Sequence, residues 1–393
     1  MKNFVAKTIQ DMPYSGIRKF FDVASEMKDV VSLGVGEPDF VTPWHIREEA
    51  VFSLERRRTM YTSNAGMPEL RSEISRYMAA KYDVQYSPGD QILITVGASE
   101  GIDVALRAVV EPGDEVLVVE PCFVSYKPCV IMAGGVPVPV PTGAANGFRV
   151  TAADIEQKIT SKTKAVLLSY PNNPTGAILE RADIESIAAL LRGRDIAVIS
   201  DEIYAELTYG GEPHVSIAAQ PGMYDKTIVL NGFSKAFAMT GWRLGYACGP
   251  RDIIAAMTKI HQYVIMCAPT TAQYGGIEAL RNGAPAVAAM CKEYDMRRRF
   301  ILDELRRMGI DCFEARGAFY LFPSIRKFGL SSEEFCTRLL AEQRLAVVPG
   351  GAFGGCGEGH VRCSYAYSID SIKKALSRLR AFIDSLGTAE SPH

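Results

Sequence analysis

The chain has 393 residues, 48% hydrophobic and 22% charged, with 43 Lys and Arg against 45 Asp and Glu for a formal charge of −2. That balance excludes a disordered chain and offers no basic block for nucleic acid, and no apolar run reaches the 18 or more residues of a membrane span. Nine cysteines without a Cys-x-x-Cys pair and five isolated histidines give neither a disulfide framework nor zinc-ligand spacing, so a cytoplasmic protein with reduced thiols and no metal is expected.

This length exceeds what one hydrophobic core usually serves, so two domains are expected. Residues 17–27 form a short amphipathic piece. Residues 30–39, with Gly34, Gly36 and Pro38, read as loop. Helical spacing returns over 43–57, with proline at its start, and over 68–82 after a polar turn at 61–66.

From residue 91 a regular alternation sets in. Residues 91–96 read as a strand, 97–100 as a turn and 101–110 as a helix; 115–119 is the next strand. Residues 136–140 carry prolines, which suits an edge strand. A helix over 152–159, a strand over 164–170, a helix over 179–191 and strands over 196–200 and 227–230 continue the pattern. Continuous Val/Ile/Leu strands separated by helices indicate a large α/β domain with a mostly parallel sheet covered on both faces. Helices follow over 250–266, 270–282 and 285–308, the last with the length of a link between domains. Strands over 318–322, 346–348 and 361–365, with helices over 332–342 and 369–386, make a smaller α+β unit. Residues 387–393 are expected to fray. The expected division is an N-terminal segment at 1–45, a large domain at 46–284 and a small domain at 285–393.

Open α/β sheets keep their ligands at the carboxyl ends of strands, and four such turns here carry unusual residues. They are Gly97-Ala98-Ser99, Asn173, Asp201 with Tyr204, and Ser234-Lys235. Lys235 and Arg243 stand eight residues apart after an apolar strand, where charges are uncommon without a partner. An amine able to join an aldehyde, beside a cation for an anionic handle, is one chemical reason; two solvated loop charges are the other. Asp201 alone suits a helix cap, Asn173 alone suits a turn, and Arg362 alone suits a structural pair with Glu358.

Taken together, Pro171-Asn172-Asn173-Pro174-Thr175-Gly176, Asp201-Glu202-Ile203-Tyr204, and Ser234-Lys235 followed by Gly241-Trp242-Arg243-Leu244-Gly245 resemble the class I/II aminotransferases, pyridoxal-phosphate enzymes of fold type I. The resemblance runs nearly end to end, from Ser15-Gly16-Ile17-Arg18 to beyond Arg362, and implies a mostly parallel seven-stranded sheet in the large domain beside a smaller α+β domain. It implies that Lys235 joins the cofactor aldehyde and carries the substrate proton. Asp201 then faces the pyridine nitrogen, Tyr204 and Asn173 donate to the phenolic oxygen, and Phe123 stacks on the ring. Ala98, Ser99, Ser234 and Arg243 hold the phosphate, with Tyr61 reaching in from a second subunit of a homodimer whose sites lie at the interface. Arg362 clamps the substrate carboxylate and the Gly36 turn closes over it. One departure is Gly232, where many relatives place a hydroxyl that contacts the phosphate.

The resemblance implies reversible transfer of an amino group from an L-amino acid to a 2-oxo acid, with 2-oxoglutarate as the expected acceptor, by a ping-pong route through pyridoxamine phosphate. A carbon–sulfur lyase or a non-catalytic, amino-acid-binding regulator on the same fold are the alternatives. The physiological donor, whether aspartate, alanine, aromatic or diaminopimelate-type, is not encoded in these motifs.

Overall fold

The computed structural model describes residues 4–12, 27–211 and 213–388. The expected amphipathic piece and the Ser15–Arg18 motif therefore fall outside the described residues up to Glu26, as do residues 389–393 of the tail. Among the described residues no helix is long and apolar enough to cross a membrane.

Seven strands form the large sheet: β2 (Ile92–Thr95), β3 (Glu115–Glu120), β4 (Val136–Pro141), β5 (Thr163–Ser169), β6 (Ala197–Asp201), β7 (Thr227–Gly232) and β8 (Gly245–Cys248), in the order β2-β8-β7-β6-β5-β3-β4. β3, β4, β5, β6 and β7 pair in parallel, while β8 runs antiparallel between β7 and β2. Every residue of β2 and β7 is buried, as both-face coverage requires of such apolar strands. The proline-bearing β4 takes the expected edge, where missing N–H donors cost no ladder bond.

β8 is absent from the sequence reading. Its four residues, Gly-Tyr-Ala-Cys, lack the β-branched run that marks the other strands. Its direction matters, because an antiparallel strand starts at the edge where its parallel neighbours end. Arg243 thereby returns to the edge that carries Asp201 and Lys235.

Helices pack on both faces. α1 (Trp44–Glu55) and α2 (Pro68–Tyr82) precede the sheet, and α3 (Gly97–Val109) follows β2 directly. The expected turn at 97–100 is instead the first turn of α3. Glu100 explains this: its carboxylate accepts the Val96 N–H at 2.5 Å and meets His261 Nδ1 at 2.6 Å, satisfying a donor that the helix start leaves open. α4 (Tyr126–Met132), also unanticipated, follows β3, and α5 (Arg181–Leu191) precedes β6. The helix expected over 152–159 is shorter, at Ala152–Glu156, closed by a Thr151–Asp154 capping box.

α6 (Arg251–Val264), α7 (Thr270–Asn282) and the 24-residue α8 (Ala284–Arg307) lead to the smaller unit. There β9 (Tyr320–Leu321), β11 (Val348–Pro349) and β12 (Val361–Ser364) form an antiparallel sheet in the order β11-β12-β9. The N-terminal β1 (Val31–Ser32) adds itself in parallel to β10 (Leu345–Ala346), which ties the leading segment to this unit. α9 (Ser332–Gln343) and α10 (Ile369–Thr388) cover it, α9 starting from the Ser331 hydroxyl, which accepts the Glu334 N–H.

Candidate active site

A cavity of about 460 Å³ opens where the carboxyl ends of β2, β3, β5, β6 and β7 face the small unit. Its walls carry Ala98, Ser99, Phe123, Asn173, Asp201, Tyr204, Ser234, Lys235, Arg243, Gly36 and Arg362, which is every residue singled out in the sequence except Tyr61. The volume suits a ring-bearing cofactor together with a small substrate.

The floor is set by β6 and β7. Asp201 ends β6 beside Leu230 of β7, 4% exposed, and its Oδ1 accepts the Ile203 N–H at 3.2 Å. Its Oδ2 accepts the Tyr126 hydroxyl at 2.7 Å. Burial pushes the Asp201 carboxyl up to about 6, against the opposing pull of the Tyr126 hydrogen bond. The structure thus rejects the helix-cap reading: Asp201 projects into the cavity as a carboxylate that a facing cation or N–H donor would stabilise.

Lys235 lies three residues beyond β7. Its ammonium donates to the Gly36 carbonyl at 2.6 Å, across 199 positions of sequence. Burial pulls its amine down to about 8, with Arg362 and Arg243 acting in the same direction and Glu37 opposing them. An amine at that value is available in neutral form near physiological pH, which a nucleophile or proton carrier requires.

One side of the cavity collects donors for an anion. α3 begins at Ala98 and Ser99 with its open N–H groups and positive dipole end, and Ser234 and Arg243 stand opposite. Close approach depends on glycine. A Cβ on Gly245 would lie 2.6 Å from the Ala98 nitrogen, and one on Gly97, at φ +73°, would lie 2.7 Å from Arg243 Nη2. Gly232 has a packing reason of the same kind, since a Cβ there would come 2.9 Å from the Gly245 Cα. The missing hydroxyl therefore accompanies a tight β7–β8 contact.

Arg362 occupies the opposite wall, 3% exposed, between the rings of Tyr320 and Phe353 at 4.6 and 4.9 Å. Its Nη1 donates to Asn173 Oδ1 at 2.9 Å and its Nη2 to the Gly34 carbonyl at 2.5 Å; its Nε has no partner among the described residues. The structural pairing with Glu358 does not occur. That carboxylate instead accepts the N–H and hydroxyl of Ser332 at the start of α9. A buried guanidinium held by neutral acceptors is a ready receptor for a carboxylate.

Tyr61 is 80% exposed and lies outside the cavity, alongside Met60, Val96 and Pro269. Beside it Leu54, Met60 and Ile265 are also exposed, at 54%, 79% and 45%. The sequence reading missed Tyr126, which holds Asp201, and Tyr320, which lies under Arg362. Tyr320 sits inside an apolar run, where a tyrosine reads as core, while Tyr126 stands between Ser125 and Lys127 with no motif to mark it.

The family model for aminotransferase class I and II matches residues 28–379. The Bacillus subtilis (strain 168) protein YugH is 51% identical over 383 residues, covering 98% of this chain and 99% of that protein. An aspartate aminotransferase of Pyrococcus abyssi is 46% identical over 367 residues, covering 93% of this chain and 94% of its own. The crystal structure of an aromatic aminotransferase from Pyrococcus horikoshii superposes with a TM-score of 0.90 at 42% identity, over 93% of this chain and 99% of that one.

The buried amine yields a prediction for the cofactor-free protein. The folded value of Lys235, about 8, lies below its unfolded value of 10.5. Between those two pH values the unfolded chain binds more protons, so the destabilisation caused by the buried charge is full below about pH 8 and relieved as pH rises toward 10.5. Lys235→Met should therefore raise the urea midpoint most at pH 7, with the gain shrinking toward pH 10. A gain that is absent, or constant across this range, would show that the amine is not desolvated.

Proposed function

We propose, from the premise that this chain belongs to the class I and II aminotransferases, a specific use for each group in the cavity. The protein is a pyridoxal-phosphate-dependent aminotransferase. Three features of the cavity fit that cofactor: a buried carboxylate in no ion pair among the described residues, a donor cluster at a helix start, and an amine brought down toward neutrality. When bound, pyridoxal 5′-phosphate supplies an aldehyde that takes up an amino group and a ring that accepts the electron pair left at the substrate Cα.

Lys235 Nζ would hold the cofactor's aldehyde and carry the substrate Cα proton. Asp201 keeps a proton on the ring nitrogen by offering it a carboxylate. Tyr204 donates its hydroxyl to the phenolic oxygen. Asn173 joins it: its Oδ1 already accepts from the donor-only guanidinium of Arg362, which leaves its Nδ2 for the ring. Phe123 stacks on the ring face. Ala98, Ser99, Ser234 and Arg243 hold the phosphate, and Arg362 grips the substrate carboxylate with the Gly36 turn over it.

The overall reaction moves the amino group of an L-amino acid to a 2-oxo acid, and we assign 2-oxoglutarate as the acceptor. The observation that carries this reading is Arg362: a fork free of carboxylate partners among the described residues, lining the same cavity as Lys235. We assign the chain to a homodimer in which the exposed apolar face around Tyr61 meets its copy and Tyr61 completes the partner's phosphate site. A cytoplasmic setting is supported by nine cysteines that are all free thiols.

Borohydride reduction of the loaded protein followed by peptide mass analysis should place the pyridoxyl group on Lys235, and a panel of amino donors should turn over only when 2-oxoglutarate is supplied. An adduct on another lysine, or pyruvate released from cystathionine without any acceptor, would overturn the reading.

Arg362→Ala should lower kcat/KM by roughly 10²–10⁴ with every donor, because two charge-assisted hydrogen bonds are worth about 1.5–3 kcal/mol each and water recovers part of the loss. Selective loss of acidic donors alone would make Arg362 a side-chain selector.

Mixing inactive Lys235→Ala with inactive Tyr61→Ala should restore partial activity, since one hybrid site receives both intact residues. Absence of any recovery, with hybrid dimers demonstrated by mass spectrometry, would remove Tyr61 from the neighbouring site.

A further inference from the structure

Tyr320 stands at a junction that none of the assigned roles uses. It is 1% exposed on β9, yet it lines the cavity. Its hydroxyl lies 2.8 Å from that of Tyr204. Its ring lies 4.6 Å beneath the Arg362 guanidinium. The same hydroxyl sits against the Gly36 turn, where a Cβ would fall only 2.1 Å away. One phenol thus touches the residue assigned to the cofactor's phenolic oxygen, the residue assigned to the substrate carboxylate, and the backbone that covers them.

We propose that Tyr320 is a positioning residue that orients Tyr204 toward the cofactor and couples it to the carboxylate clamp at Arg362. The inference rests on the roles assigned above and extends them to a residue they leave out. Burial raises both phenols, Tyr204 well above its ordinary value, so both keep their protons at neutral pH. Each hydroxyl has one proton to give. If Tyr204 commits its proton to the phenolic oxygen, the 2.8 Å contact is filled by the Tyr320 proton donated to the Tyr204 oxygen. That bond fixes the direction of the Tyr204 hydroxyl and strengthens it as a donor, as linked hydrogen bonds polarise one another. Meanwhile the face of the Tyr320 ring supports the buried Arg362 charge. Hydroxyl and ring therefore have separable tasks.

Tyr320→Phe keeps the ring and removes the donor; Tyr320→Leu removes both. With less donation to the phenolic oxygen, the pH midpoint at which the bound cofactor's absorbance changes should rise, by roughly half a unit for one neutral hydrogen bond. The Phe variant should bind propionate, a bare carboxylate probe, within about twofold of the parent, whereas the Leu variant should bind it at least roughly tenfold more weakly, as loss of a desolvated cation–π contact implies. In a Tyr204→Phe background, adding Tyr320→Phe should move the midpoint no further, because the effect passes through Tyr204. A Tyr320→Phe midpoint equal to the parent's, or an equal shift in the Tyr204→Phe background, would overturn the coupling. So would equal propionate losses in the Phe and Leu variants. A parent protein without a pyridoxal absorbance would instead remove the cofactor reading itself, and this role with it.

Discussion

The site depends on keeping charge out of water. Asp201 and Arg362 are 4% and 3% exposed, and burial drives the Lys235 amine down and the Asp201 carboxyl up. Left alone, each desolvated charge would relax toward its neutral form or draw in water. The protein opposes this with fixed neutral dipoles: a tyrosine hydroxyl and a backbone N–H on Asp201, a carbonyl on Lys235, an amide oxygen and a carbonyl on Arg362. Such groups hold a charge without neutralising it. An oppositely charged ligand then finds a receptor whose reorganisation has already been met by folding.

Holding those dipoles still is the work of the sheet. Asp201 and the turn bearing Ser234 and Lys235 leave adjacent parallel strands whose residues are all but fully buried, so their spacing is fixed by backbone hydrogen bonds and not by loop conformation. The antiparallel β8 adds Arg243 to the same edge. Glycine then sets the depth of the anion site. At Gly97 and Gly245 a single added carbon would meet the helix start or the guanidinium at less than 3 Å, so the donors converge only because those carbons are missing.

The second wall comes from elsewhere in the chain. Arg362 reaches Asn173 across 189 positions and Gly34 across 328. The Arg362 guanidinium is therefore held in place only when the small unit, the leading segment and the large sheet are packed together. The β1–β10 pairing is what brings the Gly34–Gly36 loop to that meeting point. The two walls of the cavity are joined through the Arg362–Asn173 and Tyr204–Tyr320 contacts.

Sequence alone determined the layered α/β architecture, because buried parallel strands must be continuously apolar and the turns between them must break that pattern. It also marked residues that the fold gathers, since Lys235, Asp201, Asn173 and Arg243 sit at strand ends in motifs with a recognisable order and line the same cavity. It left β8 unseen, its four residues being too small and too glycine-rich to signal a strand, and it placed the start of α3 four residues late because the Glu100–His261 contact that secures it spans 161 positions. Tyr126 and Tyr320 were hidden for a related reason. A tyrosine has the same local signature whether its hydroxyl meets a core carbonyl or a carboxylate in the cavity. Only the tertiary structure decides between them, because the partner that gives such a hydroxyl its meaning lies 75 residues away for Tyr126 and 116 for Tyr320.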